Sequence, residues 1–326
     1  MHMADALISP AVGAGFYAAS SATLAWSSWR LRLAADTRVV PTMGVLGAFV
    51  FAAQMINFAI PGTGSSGHLA GGMLLAAVLG PAPAFLVMTS VLLVQCLFFA
   101  DGGLLALGAN VFNLGFFPCF VGWPLFRRIA GRNPTPARRS WGLALGALVS
   151  VELGALSVAL QTVASGRTDL ALGSFAGLMA AIHLPIGVVE GLVTASAAAL
   201  LWRLRPELDA AETPVPASDR GWRRAVAGVG LVAVLTAACL AWFASTRPDG
   251  LEWSLERQSG PVATAPAGTA PAGAKEPAKT SWPEVDGGTS LAGLYGAGLV
   301  LVVAVALGLP PLVLRWRREQ AARRRS

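Results

Sequence analysis

Residues 174–202 read SFAGLMAAIHLPIGVVEGLVTASAAALLW, a run with no Lys, Arg or Asp in which only His183 and Glu190 can carry a charge. About 20 apolar residues rising 1.5 Å each cross a hydrocarbon core of ~30 Å, so this run is long enough to span a bilayer. The same test places helices near 10–29, 41–60, 83–100, 104–126, 141–164, 225–244 and 291–314. A shorter apolar run, 69–80, stops at Pro81 and reads as a short span or a re-entrant turn. The 326 residues are 55% hydrophobic and 13% charged, with a mean hydropathy of +0.61. Soluble domains carry roughly 25% charged residues, so the bilayer is the expected solvent. The expected fold class is all-α: a polytopic transmembrane helical bundle in the cytoplasmic membrane.

The net charge of +7 could suggest nucleic acid. The arginines, however, fall in short clusters between apolar runs rather than along one face, which is a topology signal and gives no nucleic-acid partner. With the N-terminus outside and about nine crossings, the cytoplasmic segments hold 19 of the 24 basic residues, in clusters at Arg30–Arg38, Arg127–Arg139, Arg203–Arg224 and Arg315–Arg325. If the run at 69–80 did not cross, every later cluster would face outward, so nine spans with the C-terminus in the cytoplasm is the better fit.

The stretch at about 245–290 is rich in Pro, Ala and Gly and shows no sustained period, as expected of a disordered outer loop. The chain divides into a core of about seven spans over 1–220 and a two-span accessory unit over 221–326. No cationic region precedes the first apolar run, so a cleaved leader is not expected and the chain should begin at Met1. Cys96, Cys119 and Cys239 lie inside apolar runs and form no paired pattern, so they read as packing residues.

The three histidines, His2, His68 and His183, all fall at or near the outer side. A terminus that begins X-His offers its amine, the backbone nitrogen of residue 2 and the Nδ1 of that histidine in fused five- and six-membered chelate rings. Ni(II) favours such tetragonal nitrogen sites. His68 follows the permissive loop PGTGSSGH and could supply a fourth nitrogen. Taken singly, His2 reads as a tail residue and His68 as an interfacial histidine; their conjunction at one membrane face raises both. His183 and Glu190 share a helical face within a span, where they could be functional or could tie helices together. Asn57, Asn110, Asn113 and Glu152 read as interhelical hydrogen-bonding groups. The chain has no HExxH, phosphate-loop or GxSxG pattern, so it cannot power transport with its own ATPase.

Several fragments together resemble a known family: MHMADAL at the start, INFAIPGTGSSGHLAGGMLLAAVLGP at 56–81, ALGANVFNLG at 106–115 and HLPIGVVEGLVTA at 183–195. They are similar, in order, to the metal-specific substrate-binding subunits of energy-coupling-factor transporters for nickel and cobalt. STRPDGLEW at 245–253 and SLAGLYG at 290–296 resemble the two-span accessory subunit that is sometimes fused to them. The resemblance implies a transported Ni2+ or Co2+ held by the Met1 amine, the His2 backbone nitrogen and imidazole, and His68, with no resident cofactor. It implies separate partners, a membrane coupling subunit and a pair of cytoplasmic ATPases, and a supporting or gating role for His183 and Glu190. Met3 stands where the family usually has isoleucine, which leaves the chelating atoms unaffected and bears on metal preference. The residues also fit two rival functions: a membrane enzyme using His183 and Glu190, and a non-transporting metal sensor or assembly protein.

Overall fold

A computed structural model describes residues 2–33, 39–167, 170–204, 219–239, 247–259 and 288–323. After a 3-10 turn at Asp5–Leu7, helices α1 (Pro10–Leu33) and α2 (Val39–Gln54) lead into a two-stranded hairpin, β1 (Asn57–Ala59) and β2 (Ser66–His68). Helices α3 (Gly72–Leu79) and α4 (Pro81–Phe99) follow. Next, α5 (Leu107–Val111) and α6 (Trp123–Ala130) are joined through two π-helical turns, Phe112–Phe116 and Pro118–Gly122. Then come α7 (Pro136–Ala164), α8 (Leu172–Leu204), α9 (Asp219–Cys239), α10 (Gly250–Ser259) and α11 (Gly288–Arg323).

Among the described residues, four helical stretches are long and apolar enough to cross a membrane: Pro81–Phe99, Leu107–Ala130, Pro136–Ala164 and Leu172–Arg203. Val39–Gln54, Val226–Thr236 and Gly293–Leu309 are shorter apolar helices. The all-helical expectation holds for the bundle, with two local differences. The helix expected over 41–60 ends at Gln54; beyond it Pro61 disfavours helix at residue 60, and the chain turns back through Gly62 and Gly64, both at positive φ. The returning strand pairs antiparallel with Asn57 opposite His68 and Ala59 opposite Ser66. Within the stretch read as a loop at 245–290, Gly250–Ser259 is the helix α10, while 260–287 lies outside the described residues.

Small residues let the bundle close. A Cβ on Gly191 would come 2.7 Å from the Ala144 carbonyl oxygen, and one on Gly187 3.1 Å from Leu148, so α8 lies against α7 at backbone distance. In lipid, where apolar side chains gain little by leaving the solvent, such close packing is what associates helices. Gly72, at the start of α3, meets Pro118 and the Leu114 carbonyl in the same way. The helices that lead away from the hairpin end, α1, α6 and α8, finish with Arg30 and Arg32, Arg127 and Arg128, and Arg203. The hairpin, the N-terminal segment, the 100–106 loop and the start of α10 gather at the opposite end.

Candidate metal centre

The N-terminal segment is docked on the loop between α4 and α5. The Met3 N–H donates to Asn110 Oδ1 at 2.8 Å, and Asn110 Nδ2 donates to the Met3 carbonyl at 3.1 Å. The Gly103 N–H reaches that carbonyl too, at 2.8 Å, and the Ala106 N–H donates to Asp5 Oδ1 at 3.0 Å. The Met3 and Ile8 side chains are fully buried beneath this lattice. His2 is thereby fixed at the mouth of the bundle, its Nδ1 2.6 Å from Asp101 Oδ1. Met1 lies outside the described residues.

His68 arrives on β2. Both oxygens of Glu190 accept backbone N–H groups just beyond it, from Ala70 and Gly71, each at 2.8 Å. Gln54 Nε2 donates to the Ala70 carbonyl at 2.7 Å, and Gln95 Nε2 in turn donates to Gln54 Oε1 at 2.7 Å. Leaving a buried N–H unpaired costs about 1–3 kcal/mol, so one carboxylate that satisfies two of them fixes the chain after His68 firmly. The His68 Nδ1 donates to the Leu69 carbonyl at 3.1 Å, which leaves the Nε2 lone pair for a ligand. Burial brings the imidazole down to about 4, with the facing His2 acting in the same direction, so the ring is neutral at pH 7.

The two rings meet with centroids 5.2 Å apart and planes at 53°. They line a cavity of about 380 Å³ together with Asn57, Gln95, Asp101 and Asp249. Partial loss of hydration at the cavity wall works to raise the Asp101 carboxyl, but the hydrogen-bonded His2 outweighs it and holds it at about 2, so it is an anion at any physiological pH. A cavity lined by carboxylates concentrates cations. Among the described residues no group of three or more His, Cys, Asp or Glu side chains forms a conventional metal cage.

The segment at 247–259 closes the other side of the hairpin. The Ser66 N–H donates to the Pro248 carbonyl at 2.8 Å, its hydroxyl to the Arg247 carbonyl at 2.7 Å, and Trp253 Nε1 to the Thr63 carbonyl at 2.9 Å. Asp249 caps α10, taking the N–H groups of Leu251 and Glu252 at 2.8 Å each, while Glu252 Oε2 accepts from the Asp249 N–H. This is the reciprocal arrangement of a capping box.

Of the residues singled out by sequence, the structure brings His2, His68 and Asn57 to one cavity, with Glu190 behind the hairpin. His183 stands apart from that cavity. Its Nδ1 donates to the Met179 carbonyl at 2.7 Å, and its ring abuts Gly250, where a Cβ would come 2.9 Å from the imidazole. Asn113 ties to Gln161 of α7, as expected of an interhelical amide, whereas Asn110 holds the N-terminus. Sequence reading missed Asp101, Asp249, Gln54 and Gln95. Asp101 carried a signal, being one of three acids before residue 150 and sitting at the outer end of a span.

Residues 2–208 match the family model described as the cobalt uptake substrate-specific transmembrane region, CbiM, and residues 223–310 match the PDGLE domain. The chain belongs to the CbiM family. It is 35% identical over 208 residues to a putative fused nickel transport protein NikMN of Archaeoglobus fulgidus, covering 64% of this chain and 68% of that one. It is 30% identical over 274 residues to a probable fused nickel transport protein LarMN of Lactiplantibacillus plantarum, covering 79% and 81%. The crystal structure of a truncated transition metal transporter superposes with a TM-score of 0.56 at 30% identity, over 62% of this chain and 99% of that one. Like other members of the CbiM family, this fused CbiM–PDGLE chain is a multi-pass membrane protein of nickel or cobalt transport and not an enzyme. The reading of His183 and Glu190 as a catalytic pair falls away: one ring abuts α10 and the carboxylate anchors the hairpin.

Proposed function

We propose that this chain is the substrate-specific component of an energy-coupling-factor transporter, binding Ni2+ or Co2+ on the outer side of the membrane and passing it inward. The observation that carries this reading is the meeting of His2 and His68, from opposite ends of the first 70 residues, in a cavity edged by carboxylates. The cation is cargo, with no resident cofactor. The Met1 amine, the His2 backbone nitrogen and Nδ1, and His68 Nε2 supply four nitrogens in a plane, a donor set suited to Ni(II). Main-chain donors make a third side-chain ligand unnecessary. Asn57, His183 and Glu190 support the site: Glu190 holds the chain beyond His68, and His183 backs the start of α10. Nine crossings, N-terminus outside and C-terminus in the cytoplasm, place this end of the bundle outside and the arginine-rich ends inside. The core of 1–220 carries the site and the accessory unit of 221–326 closes it. A membrane coupling subunit and cytoplasmic ATPases supply the energy, since the chain has no phosphate loop.

Calorimetric titration of Ni2+ and Co2+ tests this, comparing protein with its own N-terminus and protein carrying one extra residue before Met1. The extension displaces His2 from the second position and breaks the fused chelate. Stoichiometric binding should be lost; unchanged binding would rule out the terminal ligands. Metal accumulation by cells expressing the chain with its partners separates transport from sensing.

A further inference from the structure

We propose that Asp101 competes with the cargo cation for His2 Nδ1, so that loading and release exchange one partner of that nitrogen for the other. The inference rests on the terminal-chelate reading above. The six-membered chelate ring of an X-His terminus closes only through Nδ1. In this structure that atom lies 2.6 Å from Asp101 Oδ1, a hydrogen bond in which the carboxylate accepts and Nδ1 carries the proton. One ring nitrogen cannot donate to a carboxylate and coordinate a metal at once. The contacts are mutually exclusive, so loading requires His2 Nδ1 to give up Asp101.

Asp101 is placed for this by its backbone. Ala100, which ends α4, is the one described non-glycine residue at positive φ, and the Asp101 N–H donates back to the Gln95 carbonyl at 3.1 Å. Gly102 follows at φ +85°, where a Cβ would stand 3.6 Å from His2 Cβ, and the Gly103 N–H binds Met3. The turn that aims Asp101 is therefore the turn that fixes the N-terminus. The two side chains differ in a way that suits exchange. His2 is 6% exposed and Asp101 49%. A carboxylate half in water can let go without becoming an unpaired buried charge, which a permanent buried partner could not do. On the other side of the ring, His2 Nε2 is buried with no hydrogen-bond partner, so no hydrogen bond there has to break for the ring to leave Asp101.

Two measurements test the exchange. With only three histidines, 15N NMR of labelled imidazoles in nanodiscs resolves each ring. Without metal, His2 should carry its proton on Nδ1, and Asp101→Ala should abolish that preference. A wild-type His2 unprotonated at Nδ1 would overturn the proposal whatever the variants do. Second, release of Ni2+ into excess chelator is followed by stopped flow for Asp101→Ala, Asp101→Asn and Glu252→Gln. The last removes a carboxylate that lines the same cavity and whose hydrogen bond goes to the Asp249 N–H rather than to His2, so it reads the loss of field. Release should slow by about 10-fold in Asp101→Ala, and by less in Asp101→Asn, whose amide oxygen can still accept from Nδ1–H. It should not slow in Glu252→Gln. Equal weakening in all three, with no slowing of release, would make Asp101 only a source of field and overturn the competition. If the extended N-terminus still binds nickel normally, the ligand reading itself has failed; if it does not, yet Asp101 variants release at the wild-type rate, only the competition has.

Discussion

His2 reaches the cavity on a segment pinned by one stretch of chain, the 100–106 loop and Asn110 of α5, whereas His68 arrives on a hairpin gripped by α2, α8 and the residues that lead into α10. The first arm depends on few groups. Asn110 alone makes two of the bonds to Met3, so its loss should loosen the terminus although the Gly103 and Ala106 contacts remain. The second arm is redundant, because Glu190, Gln54 and Ser66 each hold a different part of it. A terminal chelate needs its free end placed accurately yet able to exchange cargo. A hairpin that provides a single imidazole can be held rigidly throughout.

The largest effects should come from removing a ring. His68→Ala, measured by nickel titration, should lower affinity more than about 100-fold, or about 2.7 kcal/mol, and His2→Ala at least as much. Next, Asn110→Ala should reduce affinity by about 10- to 100-fold and expose the Met3 amide to hydrogen exchange, while Glu190→Gln, which retains the Gln54 and Ser66 contacts, should cost about 10-fold. Equal losses in these two variants would erase the distinction between the arms. Acid sharpens it in another way. Because burial holds His68 down at about 4, it stays largely unprotonated between pH 7 and 5, and a metal displaces little proton from it there. The terminal amine and amide must still shed theirs, so affinity falls with acid. Wild type and His68→Ala should thus show the same slope of log Kd against pH, offset vertically; a shallower slope in the variant would assign the acid sensitivity to His68. The smallest change should come from Gly250→Ala, which pushes α10 off His183 and loosens only the outer brace, a few-fold effect read as faster nickel release.

The membrane bundle was legible because crossing a bilayer demands length and apolarity, and 174–202 shows both without reference to any partner. The end of the bundle was not, since its geometry rests on contacts between segments far apart in the chain. Nothing local in NFAIPGTGSSGH says that Ser66 will meet Pro248, or that Glu190 will hold Ala70 and Gly71. His2 and His68 could be paired only through chemistry, as scarce nitrogen donors expected at one membrane face. Asp101 had a visible position but no visible partner. The helix at Gly250–Ser259 was hidden by the Pro/Ala/Gly composition of its surroundings, although Asp249 and Glu252 carry the three-residue spacing of a capping box. For His183 the sequence located an unusual buried imidazole and could not say that its neighbour would be a glycine from the accessory unit.

X-ray absorption at the nickel edge of the loaded protein tests most directly whether the two arms share one cation. The geometry described here predicts a planar four-coordinate shell of nitrogen with the outer-shell scattering of two imidazoles. An oxygen-rich six-coordinate shell, or the signature of one imidazole only, would contradict it.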